Sequence, residues 1–405
     1  MASIRKRSWK SGGEVKTAWV ADYFDQHGKR RLKTFKAKKD ADSWMVSARH
    51  QVAQGTHSPE STSRTIGEAI DLWIQRAEAE GLERATVDQY KQHRGHILAL
   101  IAADTKLAKI TQARCEQLRD DLLARHSRQM ARKILQSFKS VLKDAKRRGL
   151  VAQNVAADTT IGTAKRHKPR LKAGVDFPLP GELRVMLEAG RPKERALVSL
   201  AGLAGLRASE LRGLSWPDLA LGDKPAVTIA RRADRWSQLG SPKSESSQRL
   251  VPLGETAARA LKEWRLAQPP VKAEDEQGNE IGRPRTLVFG TASDKPDVLG
   301  NLQRRLLAPL QVRAGVSVPV VDRAGKPVRD DKGKPKMQAK YSWHSLRHYA
   351  ISAWLASNID PKTVQHWAGH ATLALTLDTY GHLIPRDDDH ARIAAAERAL
   401  VGSGL

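Results

Sequence analysis

Tyr380 stands near the end of the chain in Thr376-Leu377-Asp378-Thr379-Tyr380-Gly381-His382, ten residues after His370 of Ala368-Gly369-His370. Upstream lie Trp343-His344-Ser345-Leu346-Arg347-His348 and, much earlier, Gly205-Leu206-Arg207-Ala208-Ser209-Glu210. Two arginines, two histidines and a late tyrosine are the groups needed to hold a phosphodiester, stabilise the charge of its attack and form a covalent phosphotyrosine. Taken singly, each has a plainer explanation. Arg207 and Glu210, three apart at a helix start, make an ordinary surface pair. His344 with His348 and His366 with His370 have the i, i+4 spacing of a zinc helix, but Ser345 stands where that signature needs a glutamate, which favours packing or phosphate contact over metal. Together the arginines suit a two-pronged guanidinium grip on a phosphate, with Glu210 orienting Arg207 and His344 as proton acceptor or phosphate donor. His348 is expected to pack or orient.

These groups need a scaffold, and its elements show as periodicity and punctuation. Ala18 to Phe24 and Arg31 to Phe35 predict two strands about the turn 25–28, followed by a helix from Lys38 to Gln54. Thr65 and Glu68 form a capping-box pattern ahead of the apolar stripe Ala69, Ile70, Trp73, Ile74 and Ala77. Helices are further expected over Thr86 to Ala102, Gln112 to Arg125 and Arg128 to Arg148, the last with Ile134, Leu135, Phe138, Val141 and Leu142 at helical spacing. A basic, proline-broken stretch, Ala164 to Lys172, reads as a linker. Beyond it the pattern mixes a helix (Glu194 to Leu203), strands (Val227 to Arg231, Arg249 to Pro252, Leu287 to Phe289) and helices (Glu255 to Gln268, Asn301 to Arg313). Asp322 to Pro327 recurs loosely eight residues on as Asp330 to Pro335, which predicts an extended hairpin or an irregular loop.

Composition bounds the partners. At 405 residues the chain is long enough for several cores, and 70 Lys and Arg against 44 Asp and Glu give a formal charge of +26. That charge favours a polyanion, nucleic acid first and an acidic membrane second. No run of about eighteen apolar residues exists and no apolar segment follows the basic N-terminus, so neither spanning nor secretion is expected. The single cysteine, Cys115, excludes an intramolecular disulfide and a cysteine-rich zinc site, which points to a reducing, cytoplasmic and nucleoid-associated setting. Between Lys29 and Lys39 the cations Arg30, Arg31, Lys33 and Lys36 crowd together with no acid among them, as a solvated face or a DNA surface. Arg128, Arg132 and Lys139 lie on the polar side of their helix, and Lys165 and Arg166 on the linker, where phosphates are candidate partners.

The order and spacing of these boxes resemble the tyrosine recombinase family, the phage integrases and their relatives, over most of residues 60 to 390. Gly205 to Glu210 is similar to the family's first box, His344-Ser345-Leu346-Arg347-His348 to the second, Ala368-Gly369-His370 to the third and Tyr380-Gly381-His382 to the last. Pro242-Lys243 followed by Arg249-Leu250-Val251-Pro252-Leu253 resembles the family's hairpin lysine. The resemblance implies Tyr380, rather than Tyr341, as nucleophile, with Arg207, Arg347, His344 and His370 on the phosphate and His382 in support. It favours Lys243 as general acid over a solvated hairpin lysine, with Lys224 the fallback. It also implies three domains: a small α+β arm-binding module (1–57), an all-α core-binding domain (62–155) and, after a linker (156–178), a mixed but mainly α catalytic domain (179–390) with a tail (391–405). The implied activity is site-specific recombination of a mobile element through a 3′-phosphotyrosine and a Holliday junction, by a homotetramer on double-stranded DNA, without metal or cofactor and with an accessory directionality protein as a further partner. A type IB topoisomerase, which nicks and reseals one duplex, and a non-catalytic DNA-binding regulator are the rival readings. A covalent DNA adduct separates the last of these from the others.

Overall fold

A computed structural model of the protein describes residues 2–12, 14–25, 28–55, 57, 59–60, 62–162, 170–242, 248–274, 280–322, 324–383 and 393. The chain divides into two compact units, Met1–Lys165 and Arg166–Leu405. Lys165 and Arg166, Lys243 and nearly all of the 391–405 tail lie outside the described residues.

The first unit opens with an antiparallel sheet, Ser3–Ser11, Glu14–Phe24 and Arg30–Phe35, with the long second strand in the middle. The first strand is an addition to the sequence expectation. Helix Lys38–Ala53 buries Ala41, Met45 and Ala48, with Met45 packed among Ala21 and Tyr23 of the sheet. Acids outside the 29–39 run pair with its cations: Arg30 with Asp22 of the preceding strand (2.5 Å), Arg31 with Asp25 of the turn (2.8 Å) and Lys33 with Glu60 (2.8 Å).

Four helices follow, Ile66–Ala79, Arg84–Leu98, Gln112–Arg125 and Arg128–Arg147. Thr65 accepts from the Glu68 amide and Glu68 returns the bond to the Thr65 amide, so both ends of the capping box are closed. Thr111 and Ser127 cap the last two helices singly, accepting from the amides of Arg114 and Met130. Ile70, Ile97, Leu118, Leu122, Ile134 and Phe138 are fully buried between them, each contributing roughly 1.5–3 kcal/mol. Arg128, Arg132 and Lys139 donate to the carbonyls of Gly162, Ile161 and Thr159, so the face read as a DNA surface also binds the chain leaving this helix.

The second unit centres on helix Pro192–Gly202, packed by Pro180–Ala189, Glu255–Ala267 and Trp343–Ala356. Beside them runs an antiparallel sheet whose middle strand, Ala226–Ile229, lies between Leu219–Ala220 and Arg249–Pro252. Two expectations need correction. Leu287 to Phe289 is not a strand: Leu287 makes a single bridge to Ser215, and Val288 and Phe289 turn into the core. The helix expected over Asn301 to Arg313 runs unbroken from Leu299 to Arg313 but is not α-helical throughout, its Leu302–Leu307 stretch being π-helical. The eight-residue recurrence is carried on an antiparallel hairpin, the first of the two alternatives, though not as one continuous ladder. A stem, Ser317–Pro319 paired with Met337–Ala339, carries two successive turns. Val320 donates to Lys336, Lys336 to Val328 and Val328 back to Val320, a closed ring of backbone bonds at 2.7–2.8 Å. In the turns, Asp322 accepts from the amides of Ala324 and Lys326, and Asp330 from those of Lys332 and Lys334. Among the described residues no helix is long and apolar enough to cross a membrane.

Candidate active site

After helix Pro192–Gly202 the chain reverses at Gly205, whose φ of +64° suits glycine. A Cβ there would sit 2.8 Å from the Trp354 ring. The reversal delivers Arg207 to the N-cap of helix Ala208–Gly213, where Glu210 accepts from the Arg207 amide (2.8 Å) and from its Nη1 (2.8 Å). Arg249, fully buried, completes the arrangement: Nη1 and Nη2 each reach Glu210 at 2.9 Å, and Nε donates to the Trp367 carbonyl at 2.6 Å. Burial alone would raise the Glu210 carboxyl, but hydrogen bonding and charge from Arg249, with Arg207 behind, hold it at about 2. It is an anion throughout the working range.

The turn at 366–370 is the second wall. Asp360 caps helix Pro361–Ala368 by accepting from Thr363, and Gly369 ends the helix in the left-handed region at φ +60°. Its carbonyl accepts Nη2 of Arg207 at 2.7 Å, and a Cβ on it would lie 2.9 Å from Arg249 Nη1 and 3.2 Å from Arg207 Nη1. Arg347, on helix Trp343–Ala356, is also buried and donates to the carbonyls of Gly205 and Ala368. Burial, then the neighbouring Arg207, pushes its guanidinium down to about 9. Among the described residues three guanidiniums converge here around the Glu210 carboxylate, so the hole is cationic and favours an anion.

Tyr380 ends helix Leu373–Tyr380, buried against Ile351, Leu355, Val364 and Ala368. Burial pushes its phenol up to about 12, against the pull of Arg347 and Arg207. Its Oη lies 2.5 Å from Nδ1 of His348. His348 is held down to about 4, by burial first and by His344 and Arg347 next, so the imidazole is neutral, and in its Nε2–H tautomer Nδ1 accepts the phenol hydrogen. The His344 ring meets His348 edge-on at 4.4 Å and is itself exposed. His370 lies parallel to the Tyr380 ring at 6.3 Å between centroids, with Nδ1 on the buried Thr376 hydroxyl at 2.9 Å. Burial and the three arginines push it down to about 3.

The structure therefore brings Arg207, Glu210, His344, Arg347, His370 and Tyr380 together. His382 is turned away, its Nε2–H on the Leu171 carbonyl at 3.0 Å, where it ties down the end of the Tyr380 helix. Tyr341 is buried elsewhere, its hydroxyl on Glu182 at 2.7 Å. Lys224 sits on an exposed turn. Two contributors were not anticipated. Arg249 was read only as context for Lys243, although strand alternation puts it on the same inward face as Val251. The phenol contact belongs to His348 rather than to His344, and no spacing rule distinguishes those two.

Residues 182–386 match the model of the phage integrase family. Over 404 aligned residues the chain is 24% identical to a XerC-like tyrosine recombinase of Caldanaerobacter subterraneus, covering 94% of this chain and 96% of that one. The fold is similar to the Tn1549 transposon integrase solved with a circular intermediate DNA, at TM-score 0.60 and 16% identity over 83% of this chain and 100% of that one. It is also similar to a lambda integrase tetramer bound to a Holliday junction, at TM-score 0.53 and 16% identity over 88% and 92%.

Proposed function

The chain belongs to the phage integrase family, and from that premise we propose that it is the site-specific recombinase of a mobile element, cutting and rejoining DNA through Tyr380. The observation that carries the reading is the location of the phenol, on the same cationic hole as the Arg207 and Arg347 guanidiniums. A scissile phosphate in that hole meets planar donors on its nonbridging oxygens, which stabilise the charge of the five-coordinate transition state. Tyr380 Oη attacks phosphorus, a 3′-phosphotyrosine forms and the 5′ oxygen leaves with a proton from Lys243. A 5′ hydroxyl from a partner strand reverses the step. The phosphoester energy is kept in the covalent bond, so the exchange needs neither nucleotide hydrolysis nor metal.

Double-stranded DNA is the partner, in keeping with the +26 charge. The small sheet domain (1–57) serves outlying arm sites, the helical domain (62–155) and the catalytic domain (179–390) clasp the core site, and the linker (156–178) follows the backbone between them. The tail (391–405) docks on a neighbouring copy within a tetramer that passes through a Holliday junction, and an accessory protein sets direction. The test is to incubate the protein with DNA flanking its own gene, trap covalent complexes and map them. Adducts at a single core position, with protected sites some distance away and none in Tyr380→Phe, support the reading. Nicking without site preference favours a topoisomerase, and binding without adduct a regulator.

A further inference from the structure

Resting on the recombinase reading, the geometry points to His348, the residue after the second arginine of the pair, as the group that takes the Tyr380 proton during cleavage. Among the described residues His348 is the hydrogen-bond partner of Tyr380 Oη, at 2.5 Å. The rival imidazoles are otherwise engaged. His370 holds Nδ1 on Thr376, and His344 meets the ring of His348 rather than that of the phenol. A buried phenol is a poor nucleophile until an acceptor already in contact removes its proton.

The surroundings make that transfer depend on DNA. His348 is faced by His344 and Arg347 from its own helix, by Tyr380 from the last helix, by His370 from the 366–370 turn and by Asp176 from the segment before Pro180. With the hole empty of anion, Arg347 repels an imidazolium and the proton stays on the phenol. A phosphodiester seated between Arg207 and Arg347 brings a negative charge that offsets the repulsion. The O–H bond of Tyr380 then breaks toward Nδ1, the freed oxygen pair forms the new bond to phosphorus, the bond to the 5′ oxygen breaks, and that oxygen takes its proton from the general acid. In the return step the His348 imidazolium gives the proton back to the departing phenol. The free protein thus keeps its nucleophile disarmed.

The test uses a nicked duplex carrying the core site mapped as above, a second duplex with a bridging 5′-phosphorothiolate at the scissile position, and wild type, His348→Asn, His348→Gln and His344→Asn. Single-turnover adduct formation by His348→Asn should fall about 100- to 10,000-fold. The loss should persist on the phosphorothiolate, whose thiolate leaves without an acid, and the residual rate should climb about tenfold per pH unit where wild type has levelled off. A structural role would weaken DNA binding in a gel-shift assay without steepening the pH profile. Independently of any variant's folding, 15N spectra of the wild-type imidazoles should show His348 protonated at Nε2 and bare at Nδ1. Adduct formation by His348→Asn or →Gln within threefold of wild type, rescue by the phosphorothiolate, or a protonated Nδ1 overturns the role of His348 while leaving the recombinase reading intact. A wild type that forms no adduct sinks both.

Discussion

Arg249→Met removes a guanidinium that is fully buried and holds both oxygens of Glu210. Methionine fills much of the volume, so the main cost is a carboxylate stranded out of water, on the order of 3–5 kcal/mol when one partner of a buried pair is deleted. The Glu210 carboxyl gives a second route to the size. Its shift from 4.5 to about 2 corresponds to roughly 3 kcal/mol at neutral pH. Because the folded-state value is depressed, this stability is complete above pH 4.5 and is lost as pH falls toward 2. Arg207 keeps its own bond to Glu210, so about 3 kcal/mol is the expected loss for the variant at pH 7. Urea unfolding followed by hydrogen exchange in residues 206–213 and 365–370 reads it, with amides there exchanging about 100-fold faster at that free energy. Acidification to pH 3 should narrow the gap between wild type and variant, since the stranded carboxylate then takes up a proton. A gap below about 1 kcal/mol at pH 7, or one that does not narrow at pH 3, refutes the view that this ion pair holds the site together.

Other expectations follow from the same geometry. Gly369→Ala places a Cβ at 2.9 Å from Arg249 in a left-handed turn and should cost about 1–3 kcal/mol in urea unfolding, with a matching fall in adduct formation. Arg207→Lys keeps the charge but loses the fork that spans Glu210 and the Gly369 carbonyl, so single-turnover cleavage should drop about 100- to 1,000-fold with little change in DNA affinity. Asp360→Ala removes the cap of helix Pro361–Ala368 and should destabilise by about 1 kcal/mol, measured by the same unfolding curve. Replacing Arg128, Arg132 and Lys139 together by glutamine should flatten the dependence of log affinity on log salt by roughly 2–3 if these cations meet phosphates; an unchanged slope leaves them the tether of residues 159–162 alone.

What could be read from the sequence was whatever is encoded over a few neighbouring residues. Thr65 with Glu68 announced a helix start, and the stripe through Ile134, Phe138 and Val141 announced its buried face, because both are contacts within one or two turns. The boxes around Arg207, Arg347 and Tyr380 named the reactive groups through their resemblance to a family. Long-range partners were not legible. Arg249 reaches Glu210 across 39 positions, and Tyr380 reaches His348 across 32, so only the fold decides which of two histidines on one helix face meets the phenol. Strand Ser3–Ser11 was missed because four cations in nine residues, on a strand exposed along nearly its whole length, leave no apolar alternation to recognise. The π-helical stretch went unread although its two buried leucines, Leu302 and Leu307, stand five apart, the spacing of a widened turn rather than of an α-helix.

The backbone ring at Val320, Val328 and Lys336 has an architectural consequence. Each lobe beyond it leaves and re-enters at one fixed junction, while the stem pairing Pro319 with Met337 closes the path beneath. Each lobe is therefore a closed excursion, and a change confined to one turn leaves the chain resuming toward His344 from the same junction.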